Sequence, residues 1–287
     1  MRTPPLPFEA AYPRRPHPAR IFNYFLGGFH HFAVDRHAAE AARQIYPDLP
    51  LVARVNRAFL RRVVTCLLEH GITQFLDLGS GLPALGCTHE VALARTPTSR
   101  VVYVDSDPLT VAHGRKLVQE LGTTTMLQAD LPQMGQILSH PEVQRLLEVR
   151  QPIGVLLLTR LMFVPSDAAA EGLIQRLRAA LAPGSYVALA HPCLEHLPTE
   201  RVQALQQLTP LFARAPDVGT ARSRAAIAGF FTGLELLDPG LVFLPGWRPE
   251  GPGDLFRDQP ARALLLGGVG RTPKDGQATA MSSWDER

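Results

Sequence analysis

The chain reads Ile72-Thr-Gln-Phe-Leu-Asp-Leu-Gly-Ser-Gly81 at the point where its hydrophobic pattern changes from helical to strand-like. Apolar residues recur at helical spacing from Val52 to Leu67, and Gly71 stands where the C-terminal cap of that helix is expected. A short apolar run that ends in glycines is typical of a buried strand followed by a tight turn. The segment therefore predicts the first strand of an α/β core, with a glycine-rich turn over residues 77–81 at its carboxyl end.

Strand and helix patterns alternate beyond this turn. The predicted strands cover residues 100–105, 124–129, 153–159 and 186–190, and the helical segments between them lie at 108–121, around 137–147 and at 167–181. The strand at 153–159 is almost continuously apolar, as a central parallel strand buried on both faces should be. Units of roughly 25 to 30 residues favour right-handed crossovers, so the expected fold is α/β with a mostly parallel sheet.

The last third of the chain has a different pattern. Helices are predicted near residues 200–211 and 223–231, and short strands at 234–237, 241–244 and 263–268. Strands this closely spaced indicate a hairpin-like antiparallel pair that completes the sheet. The expected segments are a Pro-rich N-terminal tail at 1–17, a helical lid segment at 18–70, the α/β domain at 71–270 and a disordered tail at 271–287.

Composition sets bounds on the class of protein. The 287 residues are 46% hydrophobic and 19% charged, which is the profile of a globular protein built around one large domain. No apolar run approaches the roughly 20 residues that a membrane-spanning helix needs. The N-terminus carries prolines instead of the charged and apolar regions of a signal peptide. We therefore expect a cytoplasmic protein that has no membrane partner.

Basic residues and cysteines argue against further classes of site. Lys116 and Lys274 are the only lysines among 29 basic residues, and no basic run is interleaved with aromatics, so no nucleic-acid partner is expected. Cys66, Cys87 and Cys193 are scattered and form no CxxC pair. That spacing argues against a disulfide framework and against a metal site. An oligomer stays compatible with the sequence.

Three of the predicted strands end in an aspartate: Asp77, Asp105 and Asp130. Because the carboxyl ends of parallel strands meet at one edge of a sheet, these carboxylates are expected to lie together where ligands bind. Asp77 suits the cationic amino-acid end of S-adenosylmethionine, Asp105 can accept both ribose hydroxyls, and Asp130 can meet an adenine amino group. Asp107, just before Pro108, has a second explanation as a helix N-cap. The pattern predicts a nucleoside cofactor of this kind.

A nicotinamide-binding domain is the main alternative. The turn Gly79-Ser-Gly-Leu-Pro-Ala84 fits the G-x-G-x-x-G/A form of dinucleotide-binding turns. Pro83, however, stands where that turn should open into a helix, and the next helical pattern begins only near Thr88. The turn therefore lacks the helix N-terminus that binds a pyrophosphate, and Asp77 would repel one. An NAD(P)-binding oxidoreductase is the less favoured hypothesis.

With these residues in place, the sequence resembles a bacterial family of S-adenosylmethionine-dependent methyltransferase-like proteins, common in actinobacteria and long catalogued as a domain of unknown function. The resemblance covers residues 18–270 and rests on Pro18-Ala-Arg-Ile-Phe-Asn-Tyr-Phe-Leu-Gly-Gly28, Asp35-Arg36, Asn56-Arg-Ala-Phe-Leu60, Gln74-Phe-Leu-Asp-Leu-Gly-Ser-Gly-Leu-Pro83, His89-Glu90, Val102-Tyr-Val-Asp-Ser-Asp-Pro108, Leu181-Ala-Pro-Gly-Ser-Tyr186, Gly240-Leu241 and Gly267-Gly-Val-Gly-Arg271. It implies a class I methyltransferase-like (Rossmann-like) fold that binds S-adenosylmethionine, or S-adenosylhomocysteine as product. The methyl acceptor is left open.

The N-terminal motif also has a physical interpretation. Its aromatic-rich segment, residues 21–32, can fold over the sheet edge as a lid that excludes water from the cofactor. Asn56 and Arg57 are expected to begin the next helix, whose N-terminal donors would face the cofactor carboxylate. The complete set of predicted cofactor-binding residues is Tyr24, Gly27, Gly28, Asn56, Asp77, Gly79, Ser80, Gly81, Asp105, Ser106, Asp107, Asp130, Leu131 and Thr159.

The chain departs from the family pattern on the expected acceptor side. It has Phe22-Asn-Tyr24 where relatives carry Tyr-Asp-Tyr, Gly27-Gly-Phe-His-His-Phe32 where they carry Gly-Gly-Lys-Asp-Asn-Phe, and Met162-Phe163 where His-Phe is usual. His30 and His31 are the candidate catalytic residues. Packing is the alternative for both, since adjacent helical residues point about 100° apart and chelate one ion poorly.

The sequence supports three hypotheses of function. The first is a methyltransferase for a small-molecule acceptor; because transfer from a sulfonium needs alignment more than acid–base help, it requires no identified base. The second is a non-catalytic cofactor-binding or regulatory protein that has lost the acceptor site. The third is the NAD(P)-binding oxidoreductase.

Overall fold

The computed structural model describes residues 13–83, 85–195, 197–208 and 219–274. The helices are α1 Pro18–Phe25, α2 Ala33–Ile45, α3 Leu49–Glu69, α4 Thr88–Arg95, α5 Pro108–Val118, α6 Met134–Ser139, α7 Pro141–Leu146, α8 Asp167–Ala180, α9 Thr199–Gln206 and α10 Arg224–Gly229. The strands are β1 Gln74–Leu78, β2 Arg100–Asp105, β3 Thr124–Gln128, β4 Gly154–Leu158, β5 Tyr186–Pro192, β6 Glu235–Leu236, β7 Val242–Phe243 and β8 Leu265–Arg271. Most of the two predicted tails and the end of the helix predicted at 200–211 lie outside the described residues.

One eight-stranded sheet forms the centre of the fold, in the order β3-β2-β1-β4-β5-β8-β6, with β7 also paired to β8. The strands β1 to β5 are parallel, and β8 runs antiparallel to β5. The predicted α/β fold with a mostly parallel sheet is confirmed. Because β1 lies between β2 and β4, the chain order reverses there, which opens a crevice at the carboxyl ends of these strands.

The helical stretch predicted around 137–147 is divided into α6 and α7. His140, between them, has an extended backbone with ψ 134°, and it precedes Pro141. A proline disfavours helical geometry in the residue before it and is well placed as the first residue of a new helix. The break therefore follows from one residue of the sequence.

The C-terminal strands are antiparallel, as predicted, but β6 and β7 do not form a hairpin with each other. Both pair with β8, through Leu236 opposite Gly270 and Val242 opposite Gly267. A Cβ on Gly270 would lie only 2.8 Å from the Cβ of Leu234, so the missing side chain lets the chain before β6 approach β8 closely. The long strand β8 thus provides the edge for both short strands.

Two hydrophobic clusters cover the two faces of the sheet. Alternating residues of β1 divide between them: Phe75 packs in the cluster that contains α3, and Leu76 packs in the cluster that contains α8. The ring of Phe59 on α3 meets the buried ring of Trp247 edge to face, with centroids 5.3 Å apart. None of the described helices is long and apolar enough to cross a membrane.

Candidate functional site

The carboxyl ends of β1 and β2 are joined by the carboxylate of Asp105. Its Oδ2 accepts a hydrogen bond from the backbone N–H of Gly81 at 3.0 Å, and its Oδ1 accepts one from the N–H of Asp107 at 2.9 Å. Asp105 lies at the end of β2, and Gly81 lies in the turn after β1. The predicted placement of the aspartate beside the glycine-rich turn is therefore what the structure contains.

Asp77 is a buried carboxylate with little compensation. Its Oδ2 accepts a hydrogen bond of 2.6 Å from the hydroxyl of Thr88, the first residue of α4. Burial raises the pKa of Asp77 to about 6, against the opposing effects of the Thr88 bond and the charge of Arg57. A carboxyl group that ionises with difficulty in this position favours a cationic ligand group, which would offset the cost of its charge.

Asn56 and Arg57 lie well inside α3, so the expectation that they begin a helix is wrong. The helix begins at Leu49, after Asp48, with Pro50 in its first turn. The side chains of both residues nevertheless contain polar atoms that lack partners in the described part of the chain. Asn56 Oδ1 and Arg57 Nε are buried and have no hydrogen-bond partner among the described residues. An unpartnered acceptor and an unpartnered cationic donor that line one cavity suit the ammonium and carboxylate of an amino acid.

A cavity of about 640 Å³ connects these groups. It runs from the turn after β1 to an apolar wall contributed by α1, α3, α9 and the segment after β4. Among the described residues that line it, those with ionisable side chains are His17, Arg57, Asp77, Asp105 and Arg160. The wall beyond them is largely apolar, so the cavity combines a polar end with a hydrophobic remainder, as small-molecule sites do.

One face of α1 forms part of this cavity. Phe22 and Phe25 line it, and Ala19 approaches the turn so closely that a Cβ on Gly81 would lie 3.5 Å from its methyl group. Tyr24 falls on another side of the helix, where its hydroxyl donates to Glu40 Oε1 at 2.7 Å. Phe22 and Phe25 lie three and six residues after Ala19, on one face of α1, and this face of the predicted lid segment lines the cavity.

Tyr24, Gly27 and Gly28 are absent from the described lining of the cavity. Gly28 has a packing explanation, because a Cβ there would lie 2.4 to 2.7 Å from the side chain of Asn23. Gly27 has φ +78° just after α1, where a helix end favours glycine. A cofactor role for these three residues stays a prediction without support from their placement.

A buried ion-pair network attaches α1 to the end of β2. Arg20, 3% exposed, donates from Nε to Asp35 Oδ2 and from Nη1 to Asp107 Oδ2, both at 2.9 Å. Asp107 Oδ2 also accepts from the backbone N–H of Thr110 at 2.9 Å. Asp107 is therefore the N-cap of α5 and an anchor for α1, which accounts for its carboxylate without a ligand.

Arg160 extends from the end of β4 across the ends of the neighbouring strands. Its Nη2 donates to Asp130 Oδ1 at 2.9 Å and to Ser106 Oγ at 3.3 Å. Asp130 and Ser106 are absent from the described lining, as is the buried core residue Leu131, while Arg160, Thr159, Gly79 and Ser80 are part of it. Ser106 and Asp130 were predicted as cofactor-binding residues. In the structure they contact Arg160, and it is Arg160 that lines the cavity.

His30 and His31 are placed outside the described lining of the cavity. The His31 ring pairs through Nε2 with the carbonyl oxygen of Gly28 at 3.0 Å, and it meets Tyr24 edge to face. The His30 ring lies 5.5 Å from the ring of His113. Both rings make packing contacts, which favours the structural alternative over a catalytic base.

Cys87, His89 and Glu90 form the one group of potential metal ligands found among the described residues, with ligand atoms within 4.8 Å of one another. His89 Nδ1 also lies 3.0 Å from the hydroxyl of Tyr103, and Glu90 Oε2 accepts from the N–H of Gly86. Burial raises the pKa of the Cys87 thiol to about 11, so it is protonated at neutral pH. The group has local partners and a thiol poorly suited to a metal.

Sequence reasoning missed several residues that line the cavity. His17 precedes the motif and caps α1, its Nδ1 accepting from the N–H of Ala19 at 3.3 Å. Phe22 and Phe25 belong to the aromatic segment predicted as a lid, but they are not in the predicted set of cofactor-binding residues. Arg160 carried a signal, since a charged residue directly after an apolar central strand stands at the ligand-binding edge of the sheet.

Comparison with known proteins gives consistent matches. A model of a family described as S-adenosyl methyltransferase matches residues 10–273. A solved structure described as a "putative methyltransferase" from Thermobifida fusca is 37% identical, with a TM-score of 0.82 over 90% of this chain and 96% of that chain. A DUF574 family protein from Streptomyces avermitilis is 33% identical, with a TM-score of 0.81 over 90% of this chain and 98% of that chain.

More distant similarity concerns the fold alone. The CurJ carbon methyltransferase is 16% identical, with a TM-score of 0.50 over 82% of this chain and 58% of that chain. A search of curated protein sequences finds no match.

Proposed function

The chain belongs to the S-adenosyl methyltransferase family, whose cofactor is S-adenosylmethionine, and from this premise we propose that it methylates a small, largely apolar acceptor. The acceptor would bind in the hydrophobic part of the cavity, between α1, α3 and α9. The mixed sheet is the fold of class I methyltransferases. The observation that carries the proposal is that one cavity joins the polar strand ends to an apolar wall.

The amino-acid end of the cofactor fits the polar residues of α3 and β1. Arg57 would hold the carboxylate through Nε, which has no other hydrogen-bond partner among the described residues. Asn56 Oδ1 and the carboxylate of Asp77 would accept from the ammonium group. The bound ligand would give these buried atoms the hydrogen-bond partners that they lack among the described residues, and a buried polar atom without a partner costs stability.

The ribose fits the end of β2. Each carboxylate oxygen of Asp105 accepts one backbone N–H bond, which orients the group and leaves lone pairs for hydroxyl donors. His17 lines the same cavity, and its Nδ1 accepts from Ala19, so the neutral ring carries its proton on Nε2. Burial lowers the pKa of His17, which favours that neutral form. Its Nε2–H would donate to the ligand and would not accept a proton.

When bound, S-adenosylmethionine supplies an electrophilic methyl carbon on a sulfonium. Phe22, Phe25 and Met162 line the cavity, where they would exclude water and hold the acceptor in line with the bond that breaks. The cofactor would supply this methyl group to an electron pair of the acceptor and would keep the electrons of the broken carbon–sulfur bond on sulfur. The proton of the acceptor leaves to solvent, which suits a nitrogen or thiol nucleophile more than an alcohol.

A ligand screen followed by a transfer assay tests the proposal. Thermal unfolding is measured with S-adenosylmethionine, S-adenosylhomocysteine, NAD and NADP, and we expect stabilisation by the first two only. The protein is then incubated with radiolabelled S-adenosylmethionine and a panel of apolar amines and thiols, matched with polar amino acids and sugars. Labelled product from the apolar set supports the proposal.

The other outcomes separate the alternatives. Stabilisation by NAD or NADP and by neither methyl-cofactor species would make the oxidoreductase hypothesis correct. Stabilisation by S-adenosylhomocysteine with no labelled product from either set would favour the non-catalytic binding protein. Product only from the polar set would contradict the proposed acceptor while leaving methyl transfer intact.

A further inference from the structure

We infer that Arg160 is a positioning residue for the cofactor and that the adenine ring stacks on its guanidinium. The inference rests on the proposed function, because it requires the nucleoside to lie at the carboxyl ends of β1 to β4.

The backbone before Arg160 has an unusual conformation. Thr159 has φ 71° and ψ −7°, in the left-handed region that β-branched residues rarely occupy. Its N–H donates to the carbonyl oxygen of Ala190 in β5 at 2.8 Å, which holds it there. Strained residues of this kind persist where the surrounding structure fixes them, and they concentrate at ligand sites. The conformation of Thr159 sets the position and direction of the Arg160 side chain just after β4.

The stem of Arg160 lies directly on the turn after β1. A Cβ placed on Gly79 would come within 2.4 to 2.7 Å of the Cβ, Cγ and Cδ atoms of Arg160. Gly79 is one of the predicted cofactor-binding residues. In the structure it is the arginine that makes the close approach at Gly79, so the turn and the side chain form one surface.

The guanidinium is held along its edge. Nη2 donates to Ser106 Oγ, after β2, and to Asp130 Oδ1, after β3. The side chain of Arg160 is 14% exposed, and the carboxylate of Asp130 balances its charge. A guanidinium bound through its edge interacts with other groups through its planar faces.

An aromatic ring already lies on one face. The central carbon of the guanidinium is 5.4 Å from the ring centroid of Phe163, in a cation–π arrangement. Adenine on the opposite face would complete a stack of two aromatic systems around one cation. The ribose site at Asp105 is adjacent in sequence to Ser106, so the base attached to that ribose would lie over the guanidinium.

Binding of two probes tests this inference. 5′-Methylthioadenosine contains the adenosine but no amino-acid group, whereas S-adenosylhomocysteine contains both. Calorimetric affinities are measured for the wild type, Arg160→Met and Arg160→Lys. We expect Arg160→Met to weaken both probes by a similar factor of about two to thirty, the range of a cation–π contact. We expect Arg160→Lys to rescue at most part of the loss, because lysine keeps the charge but not the planar face on which a ring stacks.

Arg57→Met is the matched control. It removes a cation from the same cavity, but at the amino-acid end, so it should weaken S-adenosylhomocysteine and leave 5′-methylthioadenosine unchanged. Thermal unfolding without ligand checks that each variant is folded, and either Arg160 variant alone is sufficient for the comparison.

Each contrary result has a defined meaning. Unchanged or tighter binding of 5′-methylthioadenosine to Arg160→Met overturns the inference, and tighter binding would mean that the arginine fills the adenine site. Full rescue by Arg160→Lys also overturns it, because the ion pair alone would then suffice. A wild type that binds neither probe overturns the proposed function itself, and this inference with it.

Discussion

The side chain of Arg160 occupies the space that a Cβ on Gly79 would need. Three of its carbons lie within 2.7 Å of that position. Gly79 also has φ +70°, a backbone conformation that residues with a side chain rarely adopt. Two separate requirements therefore keep residue 79 a glycine, one from the backbone and one from packing.

Gly79→Ala should destabilise the protein by about 2 to 6 kcal/mol, since left-handed strain and overpacking each cost about 1 to 3 kcal/mol. In an Arg160→Ala background, the same change should cost about 1 kcal/mol less, because the contacts with Cγ and Cδ are removed while the contact with Cβ at 2.7 Å and the backbone strain remain. Urea unfolding of the four proteins measures this coupling. Gly122→Ala is the control, since no atom lies within 4 Å of its Cβ position. Equal costs in both backgrounds would contradict the packing argument.

Binding of S-adenosylhomocysteine should depend on the ionisation of Asp77. With the pKa at about 6, the carboxyl group is mostly neutral at pH 5 and mostly ionised at pH 7. Only the ionised form attracts the ligand ammonium, so affinity should fall about tenfold from pH 7 to pH 5. The charges of Arg57 and Asp105 act on the same group and remain in place in the control below.

Asp77→Asn is that control for calorimetry at the two pH values. Its affinity should be lower than that of the wild type at pH 7 and nearly equal at pH 5. A wild-type affinity that is the same at both values would show that Asp77 does not receive the ammonium group.

The same carboxyl group should make the ligand-free protein less stable at neutral pH than at acidic pH. Its pKa is raised from 3.8 to about 6 on folding, so the folded state holds the proton more tightly. The free energy of unfolding therefore falls as pH rises from about 4 through 6, by up to about 3 kcal/mol. Asp77→Asn should match the wild type near pH 4 and exceed it at pH 8, as measured by urea unfolding. An Asn variant that is the less stable protein at pH 8 would contradict this sign.

The buried ion-pair network around Arg20 should contribute more to the free energy of unfolding than the exposed ion pairs do. Arg20→Met leaves the fully buried Asp35 without its cation and should cost about 3 to 5 kcal/mol. Asp35→Asn in the same chain should recover part of that loss. The matched control is Arg43→Met, which removes an exposed pair with Glu40 and should cost less than about 1 kcal/mol. Thermal unfolding compares the variants, and equal losses for Arg20→Met and Arg43→Met would refute the ranking.

Local patterns predicted the sheet and its polar edge. Asp77 and Asp105 could be assigned because each ends a strand, and parallel strands bring their ends together whatever the rest of the chain does. The division of α6 and α7 was also available from the sequence, through Pro141. These features depend on neighbours along the chain.

The remainder of the site depends on contacts between distant segments. The face of α1 that meets the cavity is set by the buried bonds of Arg20 to Asp35 and Asp107, and so Phe22 turns inward while Tyr24 turns away. The path of Arg160 is set by Gly79 and by residues after two other strands. Hydrophobic periodicity does not determine a side-chain rotamer or the rotation of a helix relative to its neighbours. The roles of these residues therefore follow only from the three-dimensional contacts.

The buried polar atoms of Asn56 and Arg57, with the carboxylate of Asp77, have a consequence for the life of the protein in a cell. A ligand that satisfies them binds the folded chain alone and reduces the fraction of unfolded molecules. Unfolded molecules are the ones that proteases remove. The half-life of this protein should therefore lengthen when the methyl donor is plentiful and shorten in starvation, so that its abundance reports the supply of its own cofactor.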